Sequence, residues 1–283
     1  MWQKRDLARA ATAIIATMVG WGLIRLLFPS LDYFPPESLM PELERSWVFN
    51  AGIRKVAMAI YATLALTLMA AFFKVVQGRW PGRGAAKGLV FGAWIGGVWA
   101  FGFLGGWAFL GTTLPQELKN IAVDSIPLTV GGWLIGLAVG QDVPRSERPV
   151  TKAWLAVLLV AIGFVAVHAL GVTLLIDLVG PGLALLFVPT TALQIALLVG
   201  LGLWAGGMYC VLRPWLPFAS PWGRVAFFAF GVFGHCWTWF HLFIPVMDFA
   251  GVLHLGLLVG LLGALGVFAG GLAYERLARV VPR

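Results

Sequence analysis

Four histidines are the side chains of this sequence best suited to chemistry: His168, His235, His241 and His254. All lie in the second half of the chain, within or at the ends of long apolar runs. An ionisable group inside an apolar membrane segment is a functional candidate by default, because its burial carries a cost. Helical rise gives their relative depths. His168 stands about 24 Å along its run from Lys152, while His235 and His241 stand about 17 and 26 Å along theirs from Arg224. His254 lies within about two turns of Asp248. His168, His241 and His254 therefore share one level with Asp177, Met247 and Asp248.

Imidazoles and a carboxylate at one depth on neighbouring helices suit copper, zinc or iron. His168, His241, His254 and Asp248 are the candidate metal ligands. Two histidines on different helices also suit a b-type haem. His168 with either His235 or His241 fits that arrangement, and Phe233, Trp237, Trp239 and Phe240 can line an apolar slot. Two facts weigh against it. His235 and His241 are six residues apart, about 120° around a helix, and cannot both face one site squarely. A membrane histidine also commonly bonds a neighbouring backbone carbonyl. No close-spaced ligand motif such as HExxH is present. The sequence has no GxSxG elbow, Walker A loop or paired acidic motif, so no catalytic residue is assigned. Cys210 and Cys236 form no CxxC pair, and their different depths argue against a disulfide.

Composition identifies the elements that must hold these groups. Of the 283 residues, 60% are hydrophobic and 11% charged, less than half the roughly 25% charge of a soluble domain. A water-soluble globule could not cover so much apolar surface, whereas a bilayer does not require it to. The net charge of +8 is dispersed between apolar runs. No nucleic-acid-binding pattern accompanies it, so nucleic acid is not an expected partner.

Eight segments reach the roughly 20 apolar residues of a membrane helix. They cover about 7–28, 52–76, 86–110, 123–141, 152–176, 185–212, 223–245 and 250–273, divided by Pro-containing polar clusters. The fourth carries Asp124, Ser125 and Pro127 in its first turns, so a late start or a break is expected there. Lys4, Arg5 and Arg9 precede a run too long for a signal peptide, and no small-x-small cleavage site follows it. A retained first helix is the expectation.

With the N-terminus inside, the inner segments hold 15 of the 20 basic residues and four of the 12 acidic ones. That asymmetry places both termini in the cytoplasm of a multi-pass inner or plasma membrane protein. The outer loop 29–50 carries Asp32, Glu37, Glu42, Glu44 and Arg45. It reads as a solvated connector or as a dock for an extracytoplasmic partner.

The halves resemble each other. TLMAAFFKVVQGRWPGRGAAKGLVFG (67–92) and LWAGGMYCVLRPWLPFASPWGRVAFFAFG (203–231) share a basic residue, a Trp-Pro inner loop, a second basic residue and Phe-Gly. The offset is about 139 residues. An all-α membrane fold follows, with four-helix repeats at 1–145 and 146–283 in parallel orientation. Gly pairs four residues apart predict close helix packing.

Two function classes follow. One is the membrane subunit of a redox or metal-handling system. It would hold haem or a metal near the outer face and exchange electrons or metal with an extracytoplasmic partner or with quinone. The other is a transporter or channel between the halves, or an accessory subunit of a larger membrane complex. No carboxylate lies at mid-depth, which weakens the case for ion-coupled transport.

Overall fold

Away from water, a backbone satisfies its own N–H and C=O groups by forming helices. The computed structural model describes residues 2–27, 44–144, 152–179, 189–247, 249 and 253–280. It has eight helices, each long and apolar enough to cross a membrane. They are α1 (Lys4–Leu27), α2 (Arg54–Gln77), α3 (Gly84–Leu110), α4 (Leu114–Val139), α5 (Ala153–Val179), α6 (Ala192–Leu212), α7 (Pro221–Met247) and α8 (Leu253–Val280). No strand occurs among the described residues, only two isolated bridges. Large aliphatic side chains point outward around the bundle, Leu26 and Leu174 being 75% and 74% exposed. Such a surface suits lipid rather than water.

The helices alternate in direction. The end of the bundle where α1 begins is called proximal, and the other end distal.

Most helix limits fall within a few residues of the sequence expectation; the eighth helix, expected to end at 273, runs on to Val280, and two others differ at their starts. The fourth helix was expected from 123 but begins at Leu114. Thr113 is extended (φ −91°, ψ 142°) and Pro115 occupies the first turn, where a missing N–H costs nothing. Pro127 does not break the helix. A π-turn over Ile121–Ser125 precedes it and absorbs the disturbed bonding. The sixth helix was expected from 185 but is described from Ala192, where Thr191 and Gln194 form a reciprocal capping box. Residues 180–188 lie outside the described set, as do 28–43 after α1. After Leu212, Pro214 tightens the chain into a 3₁₀ turn at Arg213–Trp215.

Glycines set the helix spacing. A methyl group on Gly88 would lie 2.3 Å from the Gly132 carbonyl oxygen, and one on Gly163 would lie 2.5 Å from that of Gly266. Gly84, Gly88 and Gly92 of α3 thus meet Gly132, Gly136 and Gly140 of α4, while Gly163 of α5 meets Gly266 and Gly270 of α8. Such close approach gains dispersion contacts that bulkier residues would prevent. At the distal end of α3, Gly111 takes a left-handed conformation (φ 68°) and closes the helix onto Gly106. Between the halves, α3 packs against α6 and α7, and α7 also reaches α2.

Two cationic clasps close the proximal end, the first buried and the second partly exposed. Lys87 Nζ donates to the carbonyls of Gln77 (2.7 Å), Trp80 (2.8 Å) and Gln141 (2.6 Å). These three acceptors match the three donors of an ammonium. In the second half, Arg224 donates to the carbonyls of Phe218 (3.2 Å) and Ala219 (2.8 Å) and to Glu275 (3.0 Å). Glu275 is buried and also receives Arg213 Nε (2.6 Å) and the Tyr209 hydroxyl (2.8 Å).

Candidate functional site in the distal half

α7 supplies most of the site, because its run GHCWTWFHLF puts a large ring on nearly every face. Trp237 is central. Its ring lies 4.1 Å from that of His241, edge to face, and 6.1 Å from those of Phe164 and Phe240. His168, one turn beyond Phe164 on α5, stacks on it at 5.6 Å. The fold therefore gathers His168 and His241 around Phe164 and Trp237.

Their hydrogen bonds differ. His241 Nδ1 faces the Trp237 carbonyl at 2.9 Å. A carbonyl only accepts, so Nδ1 carries the proton and Nε2 keeps its lone pair. His168 is 3% exposed, and its Nδ1 has no hydrogen-bond partner; neither does Trp237 Nε1. Orphaned buried polar atoms are uncommon enough to mark a site.

His235 does not join the pair. Its Nδ1 bonds the Gly231 carbonyl at 2.5 Å and its ring lies on Phe72 of α2, 4.6 Å away. The six-residue separation from His241 has the angular consequence expected of a helix. His254 is exposed at the distal start of α8. Asp248 lies outside the described residues, and Asp177 is placed only as part of α5. Among the described residues no group of three or more His, Cys, Asp and Glu side chains is arranged to hold a metal ion. Cys210 and Cys236 are both free and buried.

Rings continue from the histidine pair across the interface between the halves. Phe240 meets Trp99 of α3 at 5.4 Å, Trp99 meets Phe243 at 6.5 Å, and Phe243 meets Tyr61 of α2 at 5.7 Å. Gly102 makes room for this, since a methyl group there would lie 2.4 Å from the Phe240 ring.

Tyr61, Trp99 and Phe243 then form one wall of a small, half-open apolar cleft that reaches α1 and α4. Asp124, in the π-turn of α4, borders it. One Asp124 oxygen accepts Trp21 Nε1 at 2.9 Å and Arg25 Nη2 at 2.6 Å. The guanidinium also lies 4.5 Å over the Trp21 ring. From sequence alone Asp124 reads as an end-of-helix residue, and nothing singles out Tyr61 or Trp99. The available signals were two opposite charges inside apolar runs, Arg25 and Asp124, and a Pro two residues after a Ser-Asp pair. Comparison with known protein families, characterised proteins and solved structures finds no match, so the chemistry of this site is argued from its geometry.

Proposed function

We propose that this chain is the integral membrane subunit of a redox system, with a haem held by His168 and His241 in the distal half. One observation carries the reading. Two imidazoles on different helices, His168 buried and His241 half-buried, flank the same Phe164–Trp237 ring pair, one with an orphaned nitrogen and the other with its Nε2 lone pair spare. Two neutral nitrogen ligands fall short of the four protein ligands that a structural zinc needs. They suit haem, whose porphyrin fills the remaining positions of the iron. The bond from His241 Nδ1 to a backbone carbonyl is the kind that fixes a ligating imidazole. When bound, the haem supplies one-electron chemistry. The chain's own rings, Trp237, Phe240 and Trp99, provide an apolar surround and a contiguous path toward α2.

The positive-inside distribution puts the distal end outside and both termini in the cytoplasm of an inner or plasma membrane. The haem then lies within reach of an extracytoplasmic redox partner or other membrane subunits. Absorption spectra of the purified protein, oxidised and dithionite-reduced, test the reading. A Soret band with reduced α and β bands supports it, and a colourless protein refutes it.

A second reading, transport along a path between two parallel four-helix repeats at 1–145 and 146–283, is favoured by the two clasps. Lys87 and Arg224 both sit in the first turns of the third helix of their halves. Both grip carbonyls of the preceding loop and a group at the end of the fourth helix. The contacts α3–α6, α2–α7 and α3–α7 are also those a two-fold axis along the bundle would generate.

A further inference from the structure

We propose that Glu117, in the first turns of α4, is a proton-exchange site at the distal end: a buried carboxylic acid that holds a proton at neutral pH and trades it with water on that side. The inference stands apart from the haem reading and needs none of its residues. Glu117 and Glu275 are the two buried acids among the described side chains, each 3% exposed. Their surroundings are opposite. Glu275 is clasped by Arg213 and Arg224 at 2.6 and 3.0 Å, which fixes its charge. Glu117 has only neutral partners. The Thr112 hydroxyl lies 2.5 Å from Oε1, and Asn120 Nδ2 donates to Oε2 at 2.9 Å. Burying a carboxylate without a counter-charge costs far more than burying the neutral acid.

The packing holds that carboxyl in place. A methyl group at Gly106 of α3 would lie 2.7 Å from Oε1, so the missing side chain admits the carboxyl between α3 and α4. The same turn fixes Thr112. The N–H groups of Gly111 and Thr112 both point to the Gly106 carbonyl. No charge on a packed element answers Glu117. The distal turns of α3, from Phe101 to Leu110, contain no titratable side chain. On α4, Lys119 is exposed and Asp124 is held by Trp21 and Arg25. Gln116 and Asn120 are neutral, as is Gln194 of α6, which reaches the Ala108 carbonyl at 2.9 Å.

The two partners suit a proton that comes and goes. A hydroxyl both donates and accepts. The neutral acid donates through Oε1 to Thr112 Oγ1, and the carboxylate accepts from the same hydroxyl. The Asn120 amide donates to Oε2 in either state. No side chain has to move when the proton leaves. The way out is short, because the sequence neighbours Gly111, Thr113, Pro115, Leu118 and Lys119 are exposed while the carboxyl is not.

The test is infrared spectroscopy of the full chain in an ester-free detergent, where the carbonyl stretch of a carboxylic acid stands clear of carboxylates and amides. The expected result is one acid band at neutral pH in wild type, shifted down in D₂O and lost in Glu117→Gln. It should also be lost reversibly along a one-proton titration as the pH is raised. The Gln amide reproduces both hydrogen bonds of the neutral acid, so the melting temperature of Glu117→Gln at neutral pH is expected to match wild type. Should that variant fail to fold, Glu117→Asp is expected to move the band. The absence of an acid band in wild type at neutral pH overturns the proposal. So does a band that stays unchanged in a folded Glu117 variant, or one that does not shift in D₂O. None of these readings involves haem, so a colourless protein contradicts only the haem assignment.

Discussion

Tyr61 and Trp239 hold each other twice. The Tyr61 hydroxyl donates to the Trp239 carbonyl, and Trp239 Nε1 donates to the Tyr61 carbonyl at 3.3 Å. Their rings stack with centroids 4.5 Å apart and planes 29° apart. This reciprocal pair joins α2 of the first half to α7 of the second, next to the cleft and within one turn of His241. Each hydrogen bond contributes about 1 kcal/mol net, and residues in one network couple by roughly 0.5–3 kcal/mol. Tyr61→Phe and Trp239→Phe are each expected to lower stability by about 1 kcal/mol. The double variant should lose less than the sum, as measured by denaturation in mixed micelles.

The glycine seams predict a sharp contrast. Gly88→Ala places a methyl group 2.3 Å from a backbone oxygen that cannot move without its helix. Overpacking of this kind costs about 1–3 kcal/mol. Gly20→Ala, on an open face of α1, is expected to fall within about 0.5 kcal/mol of wild type. Thermal unfolding in one detergent checks both.

Removing the charge of Glu275 leaves Arg213 and Arg224 without their shared carboxylate. Breaking a buried pair from one side costs about 3–5 kcal/mol, so Glu275→Gln is expected to be among the most damaging single changes. Lys87→Met should damage the other clasp, because three carbonyls lose their cation together. Lys87→Arg should not restore it fully, since a planar guanidinium does not reproduce the geometry of a compact ammonium. Expression level and melting temperature report both variants.

Orientation is tested by thiol labelling of intact cells. The native cysteines are buried and stay silent. Arg83→Cys is expected to react only after the membrane is made permeable, and Lys119→Cys before. The reverse pattern would invert the topology derived from basic-residue asymmetry.

The sequence made the helices legible because a bilayer-spanning run is long, apolar and bounded by Pro or charge. The limits of α2, α3 and α7 lie within about two residues of those expected from hydropathy and Pro placement. It misjudged α4, because a π-turn is a hydrogen-bond shift with no hydropathy signature. The short amphipathic stretch before Asp124 therefore reads as loop from sequence alone. The histidine pairing was half legible. Depth brought His168 and His241 to one level, and helical angle separated His235 from His241. What the sequence could not reveal was the neighbour across the interface, because ring contacts such as Phe240 with Trp99 depend on how the halves dock. The cleft was hidden for the same reason, since small residues at Ala62 and Ala65 become space only once α1 and α4 stand opposite.

The most direct test of the account is the haem content of a histidine series, His168→Ala, His235→Ala, His241→Ala and His254→Ala, purified alongside wild type. The account predicts one haem per wild-type chain, full retention in His235→Ala and His254→Ala, and loss of the reduced α band in His168→Ala and His241→Ala. A wild-type protein without haem would contradict it, as would loss that follows His235 in place of His168 and His241.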